Sequence, residues 1–111
     1  MPYDFGAVVL VPFPFTDQSA SKKRPAVVVS NRDYSLSRPD LVMMAITSQV
    51  RAIPALGEAW VSHWQQAELL KPSAIKPVFT TLDQRLVIRQ LGKLQPADVQ
   101  ALRTAMAEVL G

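Results

Sequence analysis

Three short apolar runs in the first half of the chain have the length and composition of buried β-strands. They lie at residues 7–11 (AVVLV), 26–30 (AVVVS) and 41–46 (LVMMAI). β-Branched residues are frequent in these runs, and turn-forming or polar residues bound them, which favours strands over helices. Pro12 and Pro14 lack backbone donors, so the first strand is predicted to end before them.

The segments around these runs predict loops, turns and further strands. Residues 16–24 are polar and basic without apolar periodicity and are predicted to form a loop, and residues 31–39 are turn-prone with room for one short helical turn. The second half predicts strands at residues 58–61, 73–81 and 86–91, the last bent or ended by Gly92, and a helical turn at residues 64–70.

The last segment of the chain has a helical pattern instead. Val99, Leu102, Met106 and Val109 recur at helical spacing, and Pro96 suits the first turn of a helix, where its missing N–H costs nothing. We therefore predict a helix over residues 96–110 that covers one end of the strands. Short strands, frequent turns and one closing helix indicate a mainly β fold, a small barrel or sandwich.

Composition limits the chain to one domain over residues 1–111 and excludes several kinds of chemistry. The 111 residues are 49% hydrophobic and 19% charged, which is enough to bury a core. The absence of cysteine excludes disulfides, thiolate catalysis and Cys-based zinc sites. With one histidine and scattered acids, no metal-ligand cluster is apparent, so we expect no metal and no cofactor.

Hydropathy and charge bear on where the protein acts and on which partners it can bind. No apolar run approaches the roughly 18 residues of a membrane span, and the N-terminus lacks signal-peptide character, so we expect a cytoplasmic protein with no membrane contact. Twelve Lys and Arg against nine Asp and Glu give a net charge of +3. This charge is compatible with a polyanion partner, but ordinary solubility explains it equally well.

Five motifs occur in one order along the chain, and together they resemble the MazF/PemK toxin family. They are VLVPFPFTD at residues 9–17, KKRPAVVVS at 22–30, ITSQ at 46–49, LLKPS at 69–73 and LGKL at 91–94. Each motif is weak alone, whereas the ordered set is specific. One departure is Glu68, which stands where family members often have glycine.

The resemblance implies a fold, an activity and partners. The fold is a small SH3-like barrel of the MazF/Kid/CcdB type with a C-terminal helix, usually assembled as a homodimer. The activity is that of a type II toxin–antitoxin endoribonuclease, which cleaves single-stranded RNA at short sequences without a metal ion. The partner is a cognate antitoxin whose flexible acidic segment blocks the RNA site.

Metal-independent cleavage uses the 2′-hydroxyl of the substrate as nucleophile and requires groups that stabilise the extra charge on the phosphorane. Arg24, at the family's functional RP position, is predicted to grip two phosphoryl oxygens with its guanidinium. Thr47, at the end of an apolar run, is predicted to donate its hydroxyl to a phosphate oxygen. The alternatives are a solvated loop arginine and a hydroxyl that satisfies only the turn backbone.

Further residues are candidate RNA contacts. Lys22, Lys23, Lys76 and Arg85 are expected to contact the RNA backbone, Phe15 to stack on an unpaired base, and Ser48 and Gln49 to assist Thr47. Burial in the core is the alternative for one of the two rings Phe13 and Phe15. His63, the single histidine, is expected to be a surface or packing residue more often than a catalytic base.

Two other functions remain open. The same barrel serves CcdB-like toxins, which poison DNA gyrase through an aromatic and apolar C-terminal tail, but this chain ends EVLG without an aromatic residue. A non-catalytic member that only binds its partner is the other alternative. Trp60 and Trp64 line either the core or an antitoxin groove.

Overall fold

The computed structural model describes residues 3–13 and 22–111, in which six strands form one antiparallel sheet. The order across the sheet is β4-β5-β3-β2-β1-β6. The elements are β1 Ala7–Phe13, β2 Lys22–Val28, α1 Arg32–Ser37, β3 Asp40–Thr47, β4 Ala59–Val61, β5 Ser73–Asp83, a 3₁₀ turn Gln84–Leu86, β6 Arg89–Lys93 and α2 Pro96–Leu110. The predicted mainly β fold with a C-terminal helix is confirmed, and the sheet curls into a half-barrel.

The central strands are buried on both faces because their side chains alternate between two apolar clusters. Val8, Val27 and Met44 belong to the cluster covered by α2, which contributes Leu102 and Ala105. Their neighbours in sequence, including Val9, Val28 and Met43, form the cluster on the opposite face. Because successive residues of a strand point to opposite faces, burial on both sides produces the continuous apolar runs seen in the sequence.

Two strands continue past prolines at their predicted boundaries, since the first is predicted to end before Pro12 and the second to start at Pro25. β1 continues through Pro12 to Phe13, and β2 begins at Lys22 and contains Pro25. β6 pairs with β1 only as far as Leu10, and β3 pairs with β2 only from Ala26 onward. Each proline therefore lies where its strand has one neighbour, and a missing donor is tolerated at an open edge. The prediction that residues 22–24 belong to a loop is wrong.

Two further local predictions differ from the structure. The helical turn predicted at residues 64–70 is shifted to residues 62–68, where Ala67 N–H donates to the His63 carbonyl as in one turn of an α-helix, and no regular helix follows. The last strand begins at Arg89, after the 3₁₀ turn, and passes through Gly92. A Cβ atom at Gly92 would lie 2.6 Å from the Ala67 carbonyl oxygen, so this glycine permits close approach of the turn instead of ending the strand.

A buried carboxylate fastens the start of α2 to this turn region. Asp98 is 2% exposed, and its two oxygens accept the backbone N–H groups of Ser62 at 3.0 Å and His63 at 2.8 Å. The His63 ring is close to the same carboxylate, with its Nδ1 3.6 Å from Oδ2 of Asp98. His63 therefore contacts the helix start, and it is not among the residues that line the clefts described below.

Replacing Asp98 with alanine is expected to lower the free energy of unfolding by about 2–4 kcal/mol, because two backbone N–H donors lose a buried acceptor. Denaturant unfolding measures the change. Asp33→Ala is the matched control, since Asp33 is an exposed carboxylate in the first turn of α1, and its loss should cost less than about 1 kcal/mol. Equal losses in the two variants would contradict this account of Asp98.

Neither helix in the described part of the chain is long and apolar enough to cross a membrane.

Candidate functional site

A cleft of about 270 Å³ opens where β2 begins and β3 ends. Most of its polar lining comes from the segment that closes β3 and the residues just after it. The lining residues are Arg24, Ala45, Ile46, Thr47, Ser48, Gln49, Lys76 and Val78. The cleft therefore brings together both residues expected to be catalytic and three of those expected to bind RNA.

The strand register explains why Arg24 and Thr47 meet. β2 pairs with β3 antiparallel, with Ala26 opposite Ala45. The pairing ends there, and continuing its register by two residues places Arg24 and Thr47 on the same face of the sheet at adjoining strand ends. The backbone of each is still held by its other neighbour, Arg24 by Val11 of β1 and Thr47 by Ala74 of β5. Both side chains therefore line one small cleft.

Arg24 projects from a paired strand rather than from a loop. Its backbone lies opposite Val11 of β1, and its side chain is exposed. The pairing with β1 fixes the backbone of Arg24, while the long side chain lets the guanidinium extend into the cleft. Such a donor suits a negatively charged group with two or more oxygens, because a guanidinium presents parallel N–H groups.

Thr47 has a hydroxyl held in place by the backbone of the following turn. Its Oγ1 accepts the N–H of Gln49 at 3.1 Å. An oxygen that accepts this bond still has its own proton to donate. The backbone contact considered as an alternative role is therefore present, and it orients the hydroxyl without using its donor.

Lys76 adds a second positive charge to the cleft. It is half-buried on β5, next to Ile75, which pairs with Ile46 of β3. Ser48 and Gln49 follow Thr47 and are exposed. Two cations and several hydrogen-bond donors around an open cleft are suited to binding a phosphate group.

Comparison with protein-family models matches residues 4–110 to the PemK-like, MazF-like toxins of type II toxin–antitoxin systems. The chain belongs to this toxin family. The resemblance to the MazF/PemK toxin family that the sequence motifs indicate is therefore confirmed. The toxins of this family are endoribonucleases, as predicted. Comparison with curated protein sequences gives no significant match.

Solved structures of similar fold come from the same class of toxin. One is an endoribonuclease in complex with its cognate antitoxin from a mycobacterial species, at 22% identity and a TM-score of 0.79, covering 98% of this chain and 95% of that one. Another is a MazE–MazF complex from Deinococcus radiodurans, at 20% identity and a TM-score of 0.74, covering 100% and 97%. These likenesses support the fold.

A second cleft of this toxin, about 370 Å³ in volume, adjoins the first and shares Arg24, Ile46 and Ser48 with it. It opens on the other face of the sheet, the face that α2 covers further along. Its remaining lining residues are Leu10, Lys23, Pro25, Glu68, Leu69, Leu70, Lys71, Ser73, Arg89 and Leu91. Of the RNA contacts expected from sequence, Lys23 lies here.

Two of the predicted RNA contacts, Lys22 and Arg85, line neither cleft. Lys22 is exposed at the start of β2 and lines neither cleft. Arg85 follows the last residue of β5, Asp83, which pairs with Asp40 at the start of β3. Thr47 is at the other end of β3, about 23 Å from Asp40 at 3.3 Å per residue. Phe15 lies outside the described residues.

Arg85 is engaged in a local ion pair. Its Nη2 lies 2.9 Å from Oδ2 of Asp83, and its side chain is 89% exposed. This hydrogen bond lowers the pKa of the Asp83 carboxyl from its ordinary value. A role for Arg85 in RNA binding remains a prediction, and it would act at a distance from the Arg24 cleft.

Sequence reasoning missed two cations of the toxin's second cleft, Lys71 and Arg89. Lys71 stands within the LLKPS motif, which was read as a family signature only. Arg89 carried no local signal, because only the pairing of β6 with β1 brings it beside Leu10.

Within residues 3–13 and 22–111, no three His, Asp or Glu side chains converge closely enough to hold a metal ion.

Proposed function

We propose that this toxin cleaves single-stranded RNA at short sequences, without a metal ion, by attack of the substrate's own 2′-hydroxyl. The observation that carries the proposal is the common cleft of Arg24 and Thr47. A guanidinium and a hydroxyl on one rigid sheet face suit a phosphorane, whose oxygens gain negative charge in the transition state.

The reaction forms a bond between the 2′-oxygen and phosphorus and breaks the bond between phosphorus and the 5′-oxygen. The 2′-hydroxyl gives up a proton, and the leaving 5′-oxygen takes one. The products are a 2′,3′-cyclic phosphate, which can open to a 3′-phosphate, and a 5′-hydroxyl. In this scheme Arg24 binds two phosphoryl oxygens, Thr47 donates to one of them, and Lys76 adds positive charge nearby.

Arg24 is assigned to charge stabilisation rather than to proton transfer. Arginine does not release its proton near neutral pH, so a general acid would have to be another group or water. The positions of the remaining contacts suit substrate binding. Ser48 and Gln49 extend the donor set of the cleft, and Lys23 continues the positive charge onto the second cleft.

The purified toxin is expected to cut single-stranded RNA in the presence of EDTA and to leave 5′-hydroxyl ends. Gel analysis of a labelled RNA, with end-group identification by kinase labelling, measures both properties. An otherwise identical RNA with a single 2′-deoxy sugar on the 5′ side of the cut is the matched control and should resist cleavage there. Loss of activity in EDTA, or cleavage at the deoxy position, would reject the mechanism.

The family also suggests the toxin's partners and site of action. We propose that a cognate antitoxin covers the Arg24 cleft with an acidic segment, because a cleft with two cations attracts carboxylates as well as phosphates. We also propose that the toxin acts in the cytoplasm, where RNA is available, as a homodimer. Co-expression with an acidic antitoxin should suppress RNA cleavage, and light scattering should give twice the mass of the chain.

A further inference from the structure

The second cleft has the chemistry of a nucleobase site. Much of its lining is apolar and includes Leu10, Leu69 and Leu91, and a further lining residue, Leu70, is exposed. Its volume of about 370 Å³ falls at the lower end of the range for small-molecule sites. Splayed bases of single-stranded RNA are held between apolar or aromatic side chains and read along their polar edges.

Four cations also line the second cleft. They are Lys23, Arg24, Lys71 and Arg89. Arg24 belongs to both clefts, and Ser48 does as well. An RNA strand whose phosphate is bound by Arg24 can therefore pass over the ends of β2 and β3 and place a neighbouring base in the second cleft. The remaining cations then lie along the path of its backbone.

Among the described residues that line this cleft, Glu68 is the single carboxylate. No ion pair joins it to a cation among residues 3–13 and 22–111, although Lys71 and Arg89 line the same cleft. An ionised carboxylate only accepts hydrogen bonds. It therefore suits a donor on the ligand, and the amino groups of cytosine, adenine and guanine are such donors.

The backbone holds Glu68 in an unfavourable conformation. Its φ is +65°, and it is the one non-glycine residue with positive φ in the described part of the chain. Glycine would adopt this conformation without strain, so the glutamate side chain is retained at a cost to stability. The turn is held close to β6, because the backbone of Ala67 and the Cγ of Glu68 fill the space beside Gly92.

We propose that the second cleft binds the base next to the scissile phosphate and that Glu68 selects a base with an amino group over uracil. This inference rests on the proposed ribonuclease function and assigns part of its sequence specificity. Glu68 is a specificity residue in this scheme, and Arg24 and Thr47 remain the groups that contact the reacting phosphate.

Two variants separate the carboxylate from the backbone strain. Glu68→Gln removes the charge and keeps the strained side chain, whereas Glu68→Gly removes both. Cleavage sites are mapped on a randomised RNA pool for each protein. The parent should prefer one amino-bearing base within two nucleotides of the cut by about fivefold or more over uracil. Both variants should lose this preference at that position and keep the preferences elsewhere.

A binding measurement tests the inference independently of cleavage. Short deoxyoligonucleotides lack the 2′-hydroxyl and cannot be cut, so their affinities report recognition alone. The parent should bind oligo(dC) or oligo(dA) about fivefold more tightly than oligo(dU), and both variants should abolish the difference. Thermal unfolding confirms folding, with Glu68→Gly expected to raise Tm by several degrees.

The outcomes are distinguishable. An inactive parent rejects the proposed function, whereas an active parent with unchanged preferences in both variants rejects the role of Glu68. A loss of preference in Glu68→Gly but not in Glu68→Gln also overturns the inference, because it would assign the effect to the turn. Deoxyoligonucleotide affinities that are the same in both variants as in the parent would also overturn the inference.

Discussion

Replacing Arg24 with alanine is expected to lower the rate of RNA cleavage about 10³-fold. Removing one preorganised donor from a developing oxyanion typically costs 10²–10³ in rate, and arginines that stabilise phosphoryl transition states contribute 10³–10⁵. Arg24 lies on a strand paired with β1, so its loss should leave the fold intact. Single-turnover cleavage of a defined RNA at saturating protein measures the effect on the chemical step.

The Arg24→Lys variant separates charge from geometry. Lysine keeps one positive charge but lacks the parallel N–H groups, so we expect only part of the lost rate to return, with activity still about tenfold or more below the parent. Arg32→Ala is the matched control, because Arg32 is an exposed arginine on α1 paired with Asp4 and lines neither cleft. Full activity in Arg24→Ala with an unchanged Tm would remove the main support for the mechanism.

Replacing Thr47 with valine is expected to lower the cleavage rate about 10²-fold, the effect of losing one neutral donor from a preorganised site. Valine keeps the β-branched shape that suits the end of β3, so the strand should persist. The measurement is again the single-turnover rate at saturating protein, which isolates the chemical step from RNA affinity.

Thr47→Ser is the control for Thr47→Val, because serine retains the hydroxyl and should keep activity within a few-fold of the parent. Thr47→Val also removes the acceptor for the Gln49 N–H, an effect of about 1 kcal/mol at most on folding. If the hydroxyl serves only the turn, Thr47→Val will lower Tm and leave the rate per folded molecule unchanged. That result would contradict a role at the phosphate.

Much of the fold could be predicted because apolar runs and turn residues agree with one another. The run at residues 41–46 and the helix starting at Pro96 appear in the structure with nearly the predicted bounds. The errors in strand boundaries occur where the effect of a proline depends on whether a neighbouring strand pairs with that position. Pro12 must end a strand, and Pro25 must begin one, only if both strand edges are paired at that point. The sequence does not reveal that β6 and β3 stop short of these two prolines.

The site could be predicted less completely. Arg24 and Thr47 were named from short motifs, and the register of β2 and β3 accounts for their common cleft. Arg85 was named from charge alone, and the topology places it at the far end of β3. The second cleft could not be foreseen, because its lining comes from strand ends and one turn that are distant in sequence.

Strand pairing also limits how this toxin can be switched off. The backbone of Arg24 is paired with Val11 of β1 and that of Thr47 with Ala74 of β5, so moving either residue would require breaking interstrand pairing. An inhibitor is therefore not expected to act by distorting the backbone of this preformed site. In the proposed scheme the antitoxin acts by occluding the cleft, so its release should restore full activity with no refolding step.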